Sequence, residues 1–136
     1  MALFVSPQER ARDTARLGFP NMDTEIMEGL RERNWGRYEG HPVSEMPPRE
    51  HTPEGGEAWA DMLARVATEI TKAQRGVSGK LPVFVAHSGV IRAVRELTGG
   101  ISQGTSPANT TPYLYTPRQD GWVETYPDKS DQSWVV

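Results

Sequence analysis

A chain of 136 residues with 36% hydrophobic and 24% charged content suits one globular domain with a sizeable core, spanning residues 1–136. The net charge of −3, with lysines and arginines scattered rather than blocked, excludes nucleic acid and anionic membrane as main partners. The absence of cysteine excludes a disulfide framework and thiolate metal sites. Three histidines without HxxxH or HExxH spacing leave no pattern for zinc, so no metal or other cofactor is expected.

In chain order, residues 2–5 are apolar and β-inclined. Ser6, Pro7 and Glu9 then read as a capping box opening a helix over residues 7–17, with Gly18 just past its end. This places Arg10 in the helix's first turn. Residues 19–23 read as a loop and residues 25–30 as an extended segment. Residues 31–40 are dense in charge and aromatics and broken by Gly36 and Gly40, the pattern of a functional loop. Residues 41–56 hold four prolines and read as an ordered lid or irregular excursion within the domain, with His41 and His51 exposed.

Residues 57–74 predict a helix whose Trp59, Leu63, Val66, Ile70 and Ala73 form a core stripe. The run at residues 83–86 is continuously apolar, a strand buried on both faces. It ends in His87-Ser88-Gly89, after which Val90, Ile91, Val94 and Leu97 fall at helical spacing until Gly99-Gly100. His87 therefore belongs at the carboxyl end of a core strand where a helix begins, the place open α/β sheets put ligands and where helix N–H groups favour an anion. Residues 113–116 and 122–126 alternate as strands, joined through residues 117–121, where Asp120-Gly121 suits a hairpin turn. Trp134, Val135 and Val136 would pack back on the core. No apolar stretch approaches the ~20 residues of a membrane span. No signal peptide is recognisable, and a cytoplasmic protein is expected.

Three separated motifs carry a resemblance. They are Ser6-Pro-x-x-Arg10-Ala11-x-x-Thr14-Ala15, Leu30-x-Glu32-Arg33-x-Trp35-Gly36-x-x-Glu39-Gly40, and Ala86-His87-Ser88-Gly89-Val90-Ile91-Arg92, with Pro53-x-Gly-Gly-Glu57 between the last two. In this order, over nearly the whole chain, they resemble the histidine phosphatase superfamily, which includes phosphoglycerate mutases and acid-type phosphatases. The resemblance implies a three-layer α/β/α, phosphoglycerate mutase-like sheet and a small phosphorylated molecule or inorganic phosphate as ligand. By the same resemblance, Arg10 grips the phosphoryl group, which a planar, permanently charged guanidinium suits. Glu32 protonates the leaving oxygen, and His87 donates to the phosphoryl oxygens. Arg33 matches a substrate-contacting position of mutase-like members. The Ser88 and Gly89 N–H groups could add donors, Ser88 standing where glycine is more usual.

The family's leading strand ends in Arg-His-Gly, whose histidine is the nucleophile. This sequence contains no Arg-His-Gly. The expectation is a fold truncated at its N-terminus by on the order of 50 residues. The missing strand is expected between residues 2–5 and 83–86, leaving inner edges that either close on each other or recruit a homodimer partner. Three functions stay open. The chain is a phosphomonoesterase or phosphomutase whose nucleophile comes from elsewhere, an inactive phosphate-binding or interaction module, or a structural remnant.

Overall fold

The computed structural model describes residues 1–127. The expectation for Trp134, Val135 and Val136 lies outside these. Strand β1 (Ala2–Val5) leads into helix α1 (Glu9–Gly18), then β2 (Thr24–Ile26), helix α2 (Trp59–Gly76), strand β3 (Pro82–Val85), helix α3 (Ser88–Leu97) and the strands β4 (Leu114–Arg118) and β5 (Gly121–Thr125). Short 3-10 turns at Glu28–Leu30, Gly36–Tyr38 and Val43–Glu45 punctuate the long passage between β2 and α2. Among the described residues no helix is long and apolar enough to cross a membrane.

The strands β2, β1 and β3 form one parallel sheet in that order. Side chains alternate across it. Phe4 and its register partner Phe84 stack at 5.4 Å on one face, against Met62, Val66, Ala73, Val90 and Ala93 of α2 and α3. Leu3, Val5, Val83 and Val85 point to the other face, where Ala11 and Ala15 of α1 cover Leu3 and Val5. The result is the expected layered arrangement, with α1 on one side and α2 with α3 on the other.

Of the two outcomes expected for residues 2–5 and 83–86, the strands close on each other and no gap is left between them. Val5 lies beside Val85 and Ala2 beside Pro82 in continuous parallel register. Among the described residues the free edges are instead the far sides of β2 and β3, each of which pairs with β1 alone. That position also corrects the expectation of a strand buried on both faces, because Val83, Phe84 and Val85 are only half-buried. The fully enclosed strand is β1, with Leu3, Phe4 and Val5 all buried between two neighbours.

Local differences have local causes. The first helix starts at Glu9, two residues late and without a capping box, since the Ser6 hydroxyl accepts the Gln8 N–H rather than that of Glu9. The segment after Ile26 tightens into a 3-10 turn that buries Leu30 completely, whereas an extended chain was expected. In the hairpin, Arg118 pairs with Gly121, so the turn is Gln119-Asp120 and Pro117 lies within β4. Proline is tolerated there because the two-stranded ribbon has edges on both sides. Arg95, 8% exposed, reaches from α3 to the Glu124 carboxylate at 2.9 Å, and the Tyr115 hydroxyl donates to that carboxylate too. This network ties the hairpin to α3.

Leu30→Ala should cost about 2–5 kcal/mol in urea unfolding, since it empties a fully buried site. Val43→Ala, on an exposed side chain, should change stability by less than about 0.5 kcal/mol.

Candidate functional site

Three chain segments leave the sheet at its carboxyl edge: residues 6–10 after β1, residues 27–33 after β2, and residues 86–89 after β3. Parallel pairing places all three exits side by side. The junctions are stitched together by side chains. His87, 7% exposed, sets its Nε2 2.8 Å from Ser6 Oγ. The Gln8 amide oxygen accepts the Glu32 backbone N–H at 2.8 Å. Glu32 then sends its carboxylate across to α3, where the Gly89 N–H donates at 3.1 Å and the Ser88 hydroxyl lies at 3.5 Å.

Each contact follows from the local sequence. Ser6 comes directly after a buried strand and is itself fully buried, so its hydroxyl needs partners. It accepts the Gln8 N–H at 3.3 Å and shares a second hydrogen bond with His87 Nε2. When the hydroxyl donates in that bond, the neutral ring carries its proton on Nδ1. Burial, then the nearby positive charges of Arg10 and Arg65, lower the His87 pKa to about 4. At neutral pH the ring is an uncharged donor. Arg10 stands exposed in the first turn of α1, close enough to press on His87 through its charge.

Gly89 has no side chain for a packing reason. A Cβ there would fall inside the van der Waals surface of Glu32 Oε1. Gly36, at φ +54°, sits against the Glu54 carbonyl, and the Arg37 N–H bonds that carbonyl at 3.0 Å. The charged loop of residues 31–40 and the Gly-Gly-Glu turn at 55–57 are therefore closed onto each other.

Arg10, Glu32, His87, Ser88 and Gly89 thus surround one edge of the sheet. Two placements differ from expectation. The Gly89 N–H, expected to face a phosphate, meets the Glu32 carboxylate. Arg33, expected to touch substrate, is only 2% exposed. Its Nε donates to the Glu57 carbonyl at 3.1 Å and its Nη2 to the His51 carbonyl at 3.1 Å, while its guanidinium lies 4.5 Å over Trp35. Burial is the main reason its pKa is lowered. It anchors the proline-rich excursion from beneath. Sequence reasoning missed Ser6 as the His87 partner and Gln8 as the Glu32 partner. A serine directly after a buried strand, two residues before a glutamine, was the available signal.

A parallel sheet that gathers guanidinium, carboxyl and imidazole groups at its carboxyl edge defines an α/β protein with a polar cluster at the strand ends. Sequence comparison narrows this class. Residues 1–125 match the model of the histidine phosphatase superfamily (branch 1), and the chain belongs to that superfamily. Among solved structures it is similar to TTHB049 from Thermus thermophilus, with 26% identity and a TM-score of 0.64, over 83% of this chain and 66% of that one. A phosphoglycerate mutase from the same organism shares 27% identity at a TM-score of 0.58, over 75% of this chain and 61% of that one. The product of open reading frame Rv3214 from Mycobacterium tuberculosis, at 19% identity, shares the fold with a TM-score of 0.78, over 91% of this chain and 69% of that one. The chain thus spans about two thirds of the length of these relatives. No curated protein matches it in sequence.

His87 should remain neutral down to about pH 4 in an NMR titration of the folded chain. An unfolded imidazole takes its proton near pH 6.5, so between the two values the unfolded state binds more protons. The His87 contribution to stability is therefore full above pH 6.5 and lost as pH falls towards 4. His87→Gln should flatten that part of the stability profile measured by urea unfolding.

Proposed function

We propose that this chain binds the phosphoryl group of a small phosphate monoester between Arg10 and His87, with Glu32 beside the ester oxygen. The observation that carries this reading is the His87 ring, bonded through Nε2 to Ser6 and held neutral by burial and the nearby Arg10 charge. A guanidinium and a neutral N–H donor suit phosphate oxygens, and both strengthen as charge builds on those oxygens in transfer. Family membership and the likeness to a phosphoglycerate mutase support the same ligand class.

Phosphoryl transfer needs a nucleophile, which in this reading is a histidine supplied from elsewhere. Its ring nitrogen forms the bond to phosphorus, the ester P–O bond breaks, and the departing oxygen takes the Glu32 proton. The oxygen of a water then bonds to phosphorus, the P–N bond breaks to free the histidine and inorganic phosphate, and the proton of the water goes to Glu32. Neither other histidine of this chain is placed to serve. His41 is exposed and 2.9 Å from Glu45, and His51 is exposed in the proline-rich excursion. Among the described residues both β2 and β3 have an unpaired edge, and in this reading a further strand, from another segment or a second copy in a homodimer, joins the sheet along that of β3 beside His87. The same geometry favours a second reading for the chain by itself, a catalytically inactive phosphate-binding or interaction module.

Orthovanadate at about 100 times its Kd should stabilise the chain by about 2.7 kcal/mol in a thermal-shift titration, a rise of several degrees. Arg10→Ala and His87→Ala should each abolish the rise. With p-nitrophenyl phosphate the chain alone should release no more product than His87→Ala. Turnover by the chain alone, lost in His87→Ala, would contradict the need for an external nucleophile. No vanadate response in wild type would contradict the proposed site.

A further inference from the structure

Arg65 does not stand out in the sequence, being one charged residue on a helix. In the fold its guanidinium has all five N–H donors in use. Nε and Nη2 take the two Glu57 carboxylate oxygens at 2.7 and 2.8 Å. Nη1 donates to the carbonyls of Gly29 at 2.7 Å and Arg31 at 2.8 Å, and Nη2 also reaches the Glu32 carbonyl at 3.3 Å. Glu57 extends the grip, since its N–H donates to the Asn34 carbonyl at 2.8 Å and its own carbonyl accepts from Arg33 Nε. Main-chain or side-chain groups of residues 29, 31, 32, 33 and 34 are thus tied to one ion pair. Arg65 and Glu57 are mostly buried, with 24% and 18% of their side chains exposed.

The segment so held has little regular structure of its own. It follows a 3-10 turn and carries Glu32, whose side chain points away from Arg65 towards Gly89. We propose that Arg65 is the positioning residue for Glu32, its fork onto three carbonyls fixing the main chain from which the carboxylate reaches the start of α3. This deepens the proposed function by naming what holds its proton donor in place. Glu57 is the counter-charge that orients the fork. A lysine cannot replace Arg65, because an ammonium is a point donor and cannot satisfy a bidentate carboxylate together with three carbonyls.

The test reads the Gly89 amide of the full chain by nitrogen-15 NMR across an acid titration. In wild type this signal should follow protonation of the Glu32 carboxyl, and Glu32→Gln should remove that response. Arg65→Lys and Arg65→Met should remove it too, moving the amide signal away from its wild-type position. Ile70→Ala, which weakens the α2 core and removes none of the Arg65 hydrogen bonds, should lower stability and leave the Gly89 response intact. Glu57→Gln, which frees Arg65 from its counter-charge, should weaken the response and serves if Arg65→Met does not fold. A Gly89 response that persists in Arg65→Lys and Glu57→Gln overturns the proposal. Loss of the response in Ile70→Ala overturns it as well, by showing that lowered stability alone disturbs the contact. The readout needs no ligand, so its failure is separate from a failure of vanadate to bind.

Discussion

The in-register parallel pairing of β1 with β3 is the constraint from which the site follows. It ends both strands at the same level, Val5 beside Val85, so the next residues of each chain segment emerge as neighbours. Ser6 and His87 bond across that exit, 81 residues apart in sequence. A shift of β3 by one residue in this register would turn its side chains to the opposite face. Phe84 would then leave the α2 and α3 core and its stack on Phe4, and His87 would lose its partner.

The site is electrostatically layered. Next to the sheet sits an uncharged imidazole, kept so by burial and by two guanidiniums. Beyond it the Glu32 carboxylate occupies the first turn of α3, where backbone N–H groups favour negative charge. Arg10 stays exposed at the rim. A phosphate ester arriving here would meet positive charge at the surface and a neutral donor deeper in. It would also compete with Glu32 for the same end of α3.

The sequence made the scaffold more legible than its contacts. The helices showed through their apolar periodicity, and the strand before His87 through its unbroken apolar run. The layered parallel fold came from motif order. The error in strand placement came from counting apolar residues without topology, since Val83, Phe84 and Val85 look as buried as Leu3, Phe4 and Val5 when read as letters. Only the sheet order distinguishes an edge from a centre. Arg33 was expected at substrate because the resemblance matches it to a substrate-contacting position of mutase-like members, yet stacking on Trp35 and two carbonyl partners draw it inward. Ser6 was read as a helix cap, yet its hydroxyl also meets His87 from 81 residues away. Such a contact is set by three-dimensional neighbours, which a linear pattern does not contain.

The account stands on Arg10, Glu32 and His87 sharing one anion-sized space. A crystal of the chain soaked in tungstate tests this most directly, because the metal's anomalous scattering locates the oxyanion without reference to the protein. The prediction is one strong peak whose oxygens lie within hydrogen-bond distance of the Arg10 guanidinium and His87 Nδ1, with the Glu32 carboxyl adjacent. Tungstate bound elsewhere, with Arg10 and His87 facing separate spaces, would contradict it.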